Sequence, residues 1–145
     1  CLEDVVVGSQ LQTQDLVHVA VEGGEHDDGA LEARPQIPAQ GEAILSRQAF
    51  LCGDVLTEAD VRLFTTLIRF DAVYHTHFKC NRKLIAQYPA LLRTLARIYH
   101  LPGVAATVDL DHIRFHYYHS HRHINPSGIV PQGPDVLQQL APAHA

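Results

Sequence analysis

The 145-residue chain lacks several features that would define its class at once. It has no run of about eighteen apolar residues, the length a membrane-spanning helix needs, and no basic stretch leading into an apolar secretory core. Its three cysteines, Cys1, Cys52 and Cys80, show no CxxC spacing. That pattern argues against a disulfide framework and agrees with a reducing cytoplasm. Methionine is also absent, so we expect a fragment or a processed piece.

Charge divides the chain into two unlike parts. The formal net charge of −5 gives no reason to expect a nucleic-acid partner. Residues 1–42 carry nine acids and one base, whereas residues 43–145 carry seven acids and ten bases. With 46% hydrophobic residues the chain suits one modest domain with a core. We therefore predict an unassigned acidic segment over 1–42, a helical domain over 43–134 and a tail over 135–145.

The acidic segment predicts no confident element. Residues 5–7 and 17–21 are rich in valine, which favours strand, and Pro35, Pro38 and Gly41 interrupt the end of the segment. A weak hairpin, a disordered stretch and a non-native leader remain open as alternatives.

Helical signals begin after residue 42. Ala43 to Leu51 is a short helical stretch that ends at Gly53, a residue suited to a helix C-terminus. Thr57 and Asp60 then form a capping box, in which the threonine accepts from the third amide and the aspartate reaches back.

The strongest predicted helix comes directly after that box. Its apolar positions recur at helical spacing and form one buried stripe. They are Val61, Phe64, Ile68 and Ala72, widened by Leu63 and Leu67.

Two further helices are predicted. The first has Pro89 in its first turn and a stripe made of Leu91, Leu92, Leu95, Ile98 and Tyr99. The second is capped by Asp109 or Asp111 and carries Leu110, Ile113 and Tyr117, before residues 125–128 break it. Residues 129–134 should be extended coil. No alternation of strands and helices occurs, so the body is predicted to be all-α.

Five histidines lie between residues 112 and 123, and His112 and His116 have the spacing of a chelating pair. A metal site is the first interpretation. No HExxH motif occurs, however, and Asp109 and Asp111 lie at the opposite end of the helix. We therefore favour surface residues or caps of helix-terminal carbonyls, and we predict no metal ligands.

Cys80 has two interpretations. A nucleophilic thiol could use His75 or His77 as its base, with Lys79 and Arg82 nearby. A packed, non-catalytic thiol at a helix end is the alternative that we favour. No catalytic residue is therefore predicted in this chain.

Two long motifs carry a family resemblance. They are LTEADVRLFTTLIRFDAVYHTHFKCN and HYYxSHxxINPSGIVPxGP, within residues 51–134. Together they resemble the C-terminal helical domain of the glutathionyl-hydroquinone reductases, the Xi class of glutathione transferases, over roughly residues 43–134. The resemblance implies a glutathione transferase C-terminal-like helical bundle, with an irregular or weakly β segment before it. The capping box also resembles one shared across that family.

The resemblance implies a chemistry as well. In such enzymes a thioredoxin-like domain binds glutathione and carries a catalytic cysteine. Its thiolate attacks the sulfur of a glutathionyl-hydroquinone and releases the hydroquinone, and a second glutathione resolves the mixed disulfide to give oxidised glutathione. Tyrosines of the helical domain bind the hydroquinone oxygens. Tyr74 matches one of these positions, and the second is Tyr117 or Tyr118, between which the sequence does not decide.

The chain also departs from the family pattern, because it contains neither the Cys-Pro active-site motif nor a thioredoxin-like domain. We therefore expect a cytoplasmic fragment that supplies the hydroquinone-binding wall and is inactive alone. Glutathione would be a co-substrate held mainly by the missing domain, and the full-length protein would be a homodimer through its helical domain. The alternative is a non-catalytic helical interaction or dimerisation module. An apolar face left uncovered would make the chain marginally stable or self-associating.

Overall fold

The computed structural model describes residues 36–141. The elements are α1 (Gln36–Leu45), α2 (Glu58–Arg69), a π-helical turn (Phe70–Tyr74), α3 (His75–His77), a 3₁₀ turn (Ile85–Gln87), α4 (Pro89–Tyr99), a second 3₁₀ turn (Ala105–Thr107), α5 (Leu110–Ser120) and α6 (Val136–Leu140). The all-α prediction is confirmed for this part of the chain. The hairpin or disordered stretch expected before residue 36 lies outside the described residues.

Helix α1 begins earlier than the sequence predicted and ends at Leu45, so the predicted helical stretch up to Leu51 is wrong at both ends. Pro38 does not break it because a proline in the first turn removes only an amide that has no helical partner. Gly41 does not break it either. A Cβ atom there would lie 3.3 Å from the Leu91 side chain, so glycine lets α1 approach α4 closely. The helical domain therefore includes residues assigned to the acidic segment.

Thr57 and Asp60 fix the start of α2. Thr57 is the N-cap residue, in extended backbone. The buried Asp60 carboxylate accepts from the Thr57 backbone N–H at 2.9 Å and from the Thr57 hydroxyl at 2.8 Å. It also accepts from the Leu51 backbone N–H at 2.7 Å, a contact that the sequence did not suggest. One carboxylate thus holds both the helix start and the preceding loop.

The buried face of α2 matches the predicted stripe with one exception. Leu63, Phe64, Leu67 and Ile68 are all buried in the core. Val61 is 49% exposed, so its prediction as a core residue is wrong. The adjacent position Asp60 turns inward instead, because its carboxylate serves three donors there.

The π-helical turn continues α2 into α3 and ends at Tyr74. Asp71, within this turn, accepts from the backbone N–H groups of Ile85 at 2.7 Å and Ala86 at 3.3 Å. These two residues begin the first 3₁₀ turn, and their N–H groups have no acceptor within that turn. The wide turn is therefore tied to the segment that leads into α4.

Helices α4 to α6 close the core. Leu91, Leu95 and Ile98 of α4 are buried as predicted. Of the two candidate caps of α5, Asp109 is the one used, and it accepts from His112 N at 2.8 Å. The predicted tail contains α6, whose Val136 is buried in the same core. No helix within residues 36–141 is long and apolar enough to cross a membrane.

Candidate functional site

Tyr74 and Tyr117 meet where α5 packs against the π-helical turn. Their hydroxyl oxygens are 3.4 Å apart, and their rings lie edge to face with centroids 5.9 Å apart. The two residues are 43 positions apart in the sequence, so the contact joins two helices. Two of the tyrosines that the sequence singled out are therefore brought together.

Aromatic rings surround this pair. The aromatic cluster consists of Phe70, Tyr74, His77, Phe78, Tyr117, Tyr118 and His121. Phe78 lies against both tyrosines, 5.5 Å from the Tyr74 ring and 5.9 Å from the Tyr117 ring by centroid. Such tilted and edge-on contacts fix the ring planes.

The two phenols differ in exposure. Tyr74 is 5% exposed, and this burial, followed by the Tyr117 hydrogen bond, raises the pKa of Tyr74. Its hydroxyl therefore keeps its proton at neutral pH. Tyr117 is half-buried and can be reached from solvent. Because 3.4 Å is long for a bond between hydroxyls, the pair is weakly joined and a ligand oxygen can compete for it.

Tyr118 faces different surroundings from Tyr117. It is 3% exposed, and its ring lies 4.7 Å from that of His77. Its hydroxyl is buried, and no group among residues 36–141 meets hydrogen-bond geometry with it, although the Thr76 side chain lies near enough to act on its pKa. Burial also raises the pKa of this phenol. Consecutive helical residues point about 100° apart, which explains why only one of the two tyrosines reaches Tyr74.

His77 and His121 form a hydrogen bond that the sequence did not predict. His77 Nε2 and His121 Nδ1 are 3.1 Å apart, and the two rings are nearly parallel. A helical pattern could have indicated it. His77 follows Tyr74 by three residues and His121 follows Tyr117 by four, so each histidine shares a helix face with its tyrosine.

Cys80 does not have the surroundings of an activated thiol. Its Sγ lies 3.9 Å from the Phe78 carbonyl oxygen, and burial raises the pKa of the thiol. A nucleophilic cysteine needs the opposite shift. His77, one of the two possible bases, is hydrogen-bonded to His121 instead.

His112 and His116 lie on one face of α5 as predicted, with ring centroids 6.5 Å apart. Both are exposed. Within the described part of the chain, no three residues of the metal-binding types come together as a group that could hold an ion.

Comparison with known proteins gives a consistent result. The family model for the glutathione S-transferase C-terminal domain matches residues 30–97. The chain is 54% identical over 96 residues to the glutathionyl-hydroquinone reductase YqjG of Escherichia coli K12, covering 66% of this chain and 29% of that protein. It is 54% identical over 93 residues to the glutathionyl-hydroquinone reductase PcpF of Sphingobium chlorophenolicum, covering 64% and 30%.

Solved structures agree with these relatives. The glutathione-bound structure of Escherichia coli YqjG superposes with a TM-score of 0.82 at 39% identity, over 91% of this chain and 44% of that one. A Xi-class glutathione transferase from Natrialba magadii gives a TM-score of 0.84 at 39% identity, over 92% and 42%.

The described helices are thus the C-terminal domain of a glutathione S-transferase. Within that family the chain is similar to a Xi-class glutathione transferase and to the C-terminal part of two glutathionyl-hydroquinone reductases. The family prediction made from the two long motifs is therefore confirmed. The chain spans about three tenths of the length of the curated relatives that it matches.

Proposed function

We propose that this domain forms the hydroquinone-binding wall of a glutathionyl-hydroquinone reductase, with Tyr74 and Tyr117 as the phenols that bind the hydroquinone oxygens. The observation that carries the proposal is the convergence of their hydroxyls, 3.4 Å apart, inside a rigid aromatic cluster. Two phenols sharing one hydrogen bond leave a second O–H free to donate to a ligand oxygen. The surrounding rings offer an apolar surface to the ligand's own ring.

Tyr118, the third tyrosine singled out from the sequence, is not part of this proposed wall. Its side chain is 3% exposed and lies against His77 rather than Tyr74. A ligand could reach its hydroxyl only if α5 moved. The choice between the adjacent tyrosines of the HYY motif therefore falls on Tyr117.

The reaction itself requires a thiolate, and Cys80 is poorly suited to supply it, since burial raises the pKa of its thiol. We infer that glutathione is a co-substrate bound by a thioredoxin-like domain outside these helices. The 145-residue chain alone should therefore turn over no glutathionyl-hydroquinone. The thiols of Cys52 and Cys80, both free of disulfides, suit a reducing compartment such as the cytoplasm.

Hydroquinone binding tests the proposal directly. Titration calorimetry on the chain should show binding of 1,4-hydroquinone that weakens roughly five- to tenfold in Tyr117→Phe, because one hydrogen bond to the ligand is lost. Tyr118→Phe is the matched control and should bind like the wild type. Equal binding by wild type and Tyr117→Phe would refute the assignment of Tyr117. Turnover by the chain with glutathione would refute the assignment of the cysteines.

A second candidate function, a helical interaction or dimerisation module, is favoured by apolar side chains around the start of α2. Val55, Leu56 and Val61 are 72%, 38% and 49% exposed. Covering them would remove apolar surface from water, which favours association. Light scattering should then give a dimer mass that shifts to monomer in Val55→Ser/Val61→Ser, whereas a concentration-independent monomer would exclude this function.

A further inference from the structure

The bond between His77 and His121 joins the two segments that carry the tyrosine pair. His77 lies in α3, three residues after Tyr74, and is 3% exposed. His121 is the C-cap residue of α5, four residues after Tyr117. Their facing ring nitrogens are 3.1 Å apart, and the ring planes differ by 25°. The bond therefore ties together the ends of the helices on which the two phenols are placed.

One such bond holds a single proton between the rings. A neutral imidazole has one N–H and one bare nitrogen, so one ring donates and the other accepts. Two charged rings would present two N–H groups to each other and lose the bond. The other titratable groups acting on the pair are Lys79, His116 and His123. All three are basic, so they oppose a second proton.

Tyr117 packs against both rings of this pair. Its ring meets His121 at 83° with centroids 5.5 Å apart, and meets His77 at 73° with centroids 6.4 Å apart. The His121 backbone N–H also donates to the Tyr117 carbonyl at 3.3 Å. Two perpendicular contacts on one ring restrict its rotation about the Cα–Cβ and Cβ–Cγ bonds.

We propose that His77 and His121 are positioning residues for Tyr117, which their shared hydrogen bond holds in the ring plane that brings its hydroxyl to Tyr74. The inference rests on the proposed role of Tyr117 in binding a hydroquinone oxygen. The histidines themselves do not touch the ligand. They restrict the rotation of the Tyr117 side chain before the ligand arrives. Binding then costs less conformational entropy, which is the advantage of a preorganised site.

Two substitutions of His121 separate the bond from the packing. His121→Phe keeps a flat ring but has no nitrogen to bond with His77. His121→Asn keeps an amide at the position of Nδ1 and restores the bond. His112→Phe, an exposed histidine earlier on α5, is the matched control.

Binding of 1,4-hydroquinone should weaken about tenfold in His121→Phe and stay within about twofold of wild type in His121→Asn and His112→Phe. Nuclear Overhauser contacts between the Tyr74 and Tyr117 rings, measured by NMR in tyrosine-labelled protein, should weaken in His121→Phe and return in His121→Asn. Unchanged contacts and unchanged affinity in His121→Phe would overturn the positioning role.

The contacts between the two tyrosine rings are measured without ligand, so they separate this inference from the proposed function. If the wild type binds no hydroquinone while these contacts still weaken in His121→Phe and recover in His121→Asn, the proposed function fails and the positioning role stands. Should His121→Phe not fold, ¹⁵N spectra of the wild-type imidazoles decide. One proton between Nε2 of His77 and Nδ1 of His121 supports the inference, and protons on both nitrogens refute it.

Discussion

The Glu42 carboxylate on α1 accepts hydrogen bonds from the Ala90 backbone N–H at 2.9 and 3.0 Å and from the Leu91 N–H at 2.9 Å. A side chain of one helix thus caps the N-terminus of another. The relationship is reciprocal, since the Arg93 guanidinium of α4 donates to the Leu45 carbonyl at the end of α1, at 3.1 Å. These contacts complement the dipoles of both helices.

Removing that cap should destabilise the domain. Glu42→Ala leaves two amides of α4 without an acceptor, and we expect a loss of about 2 kcal/mol in the free energy of unfolding. Glu42→Gln keeps one acceptor oxygen and should lose about half as much. Urea denaturation measures both. Glu58→Ala is the control, because its pair with Arg62 is exposed and should contribute less than about 1 kcal/mol. Equal effects at both glutamates would contradict the capping role.

Tyr118→Phe should leave stability unchanged or raise it by up to about 1 kcal/mol. No described residue meets hydrogen-bond geometry with the buried Tyr118 hydroxyl, and Thr76 is the nearest side chain acting on it, so removing the hydroxyl relieves a desolvation cost without breaking a well-formed bond. Thermal unfolding followed by circular dichroism would measure the change. A loss above about 1 kcal/mol would mean that the hydroxyl has a partner in solution, a buried water for example.

Lys79→Gly should stabilise the domain. Lys79 has φ of 62°, in the left-handed region, directly after the aromatic cluster. A side chain in that region costs roughly 1–2 kcal/mol, of which glycine recovers part because its unfolded chain is freer. We expect a net gain of about 0.5 kcal/mol by urea denaturation. Arg82→Gly, at an exposed turn residue without a positive φ, should give no gain.

Stability should fall as the pH drops below about 6.5. Burial lowers the pKa of both His77 and His121 from the ordinary value of 6.5. Below that pH the two histidines are protonated in the unfolded chain but stay neutral in the folded one. The folding equilibrium therefore shifts toward the unfolded state. The contribution of the neutral His77–His121 pair to the free energy of unfolding is therefore complete above pH 6.5. It is lost as the pH falls toward the lowered pKa values of the two histidines. The loss in unfolding free energy between pH 7.5 and 5.5 should be smaller in His121→Phe, and an equal loss would contradict the assignment.

Periodicity identified the helices because burial follows helical spacing where apolar residues dominate. It failed at Val61 and at Pro38 for different reasons. At Val61 the neighbouring Asp60 turns inward to accept from the Leu51 backbone N–H, a contact that apolar spacing does not show. Pro38 lies in the first turn of α1, where its missing amide costs nothing, and Gly41 lets that helix pack closely on α4.

The candidate site also contains one part that the sequence predicts and one part that only the structure shows. The family resemblance supplied Tyr74 and one member of the HYY motif, but the proposal of Tyr117 rather than Tyr118 required the placement of α5 against the π-helical turn. The partner of His77 lies 44 residues further along the chain. A shared helix face explains why His121 accompanies Tyr117, yet only the crossing of two helices decides that the faces meet.

The π-helical turn at Phe70–Tyr74 changes the direction in which all later side chains of this helical segment point. A wide turn takes in one residue more than an α-helical turn, and one residue corresponds to about 100° of rotation. Deleting a single residue there would restore a regular α-helix and swing everything after it by that angle. Tyr74 and His77 would then face away from α5, although both would still lie on a helix. The direction in which Tyr74 and His77 point is thus set by the number of residues in this one turn.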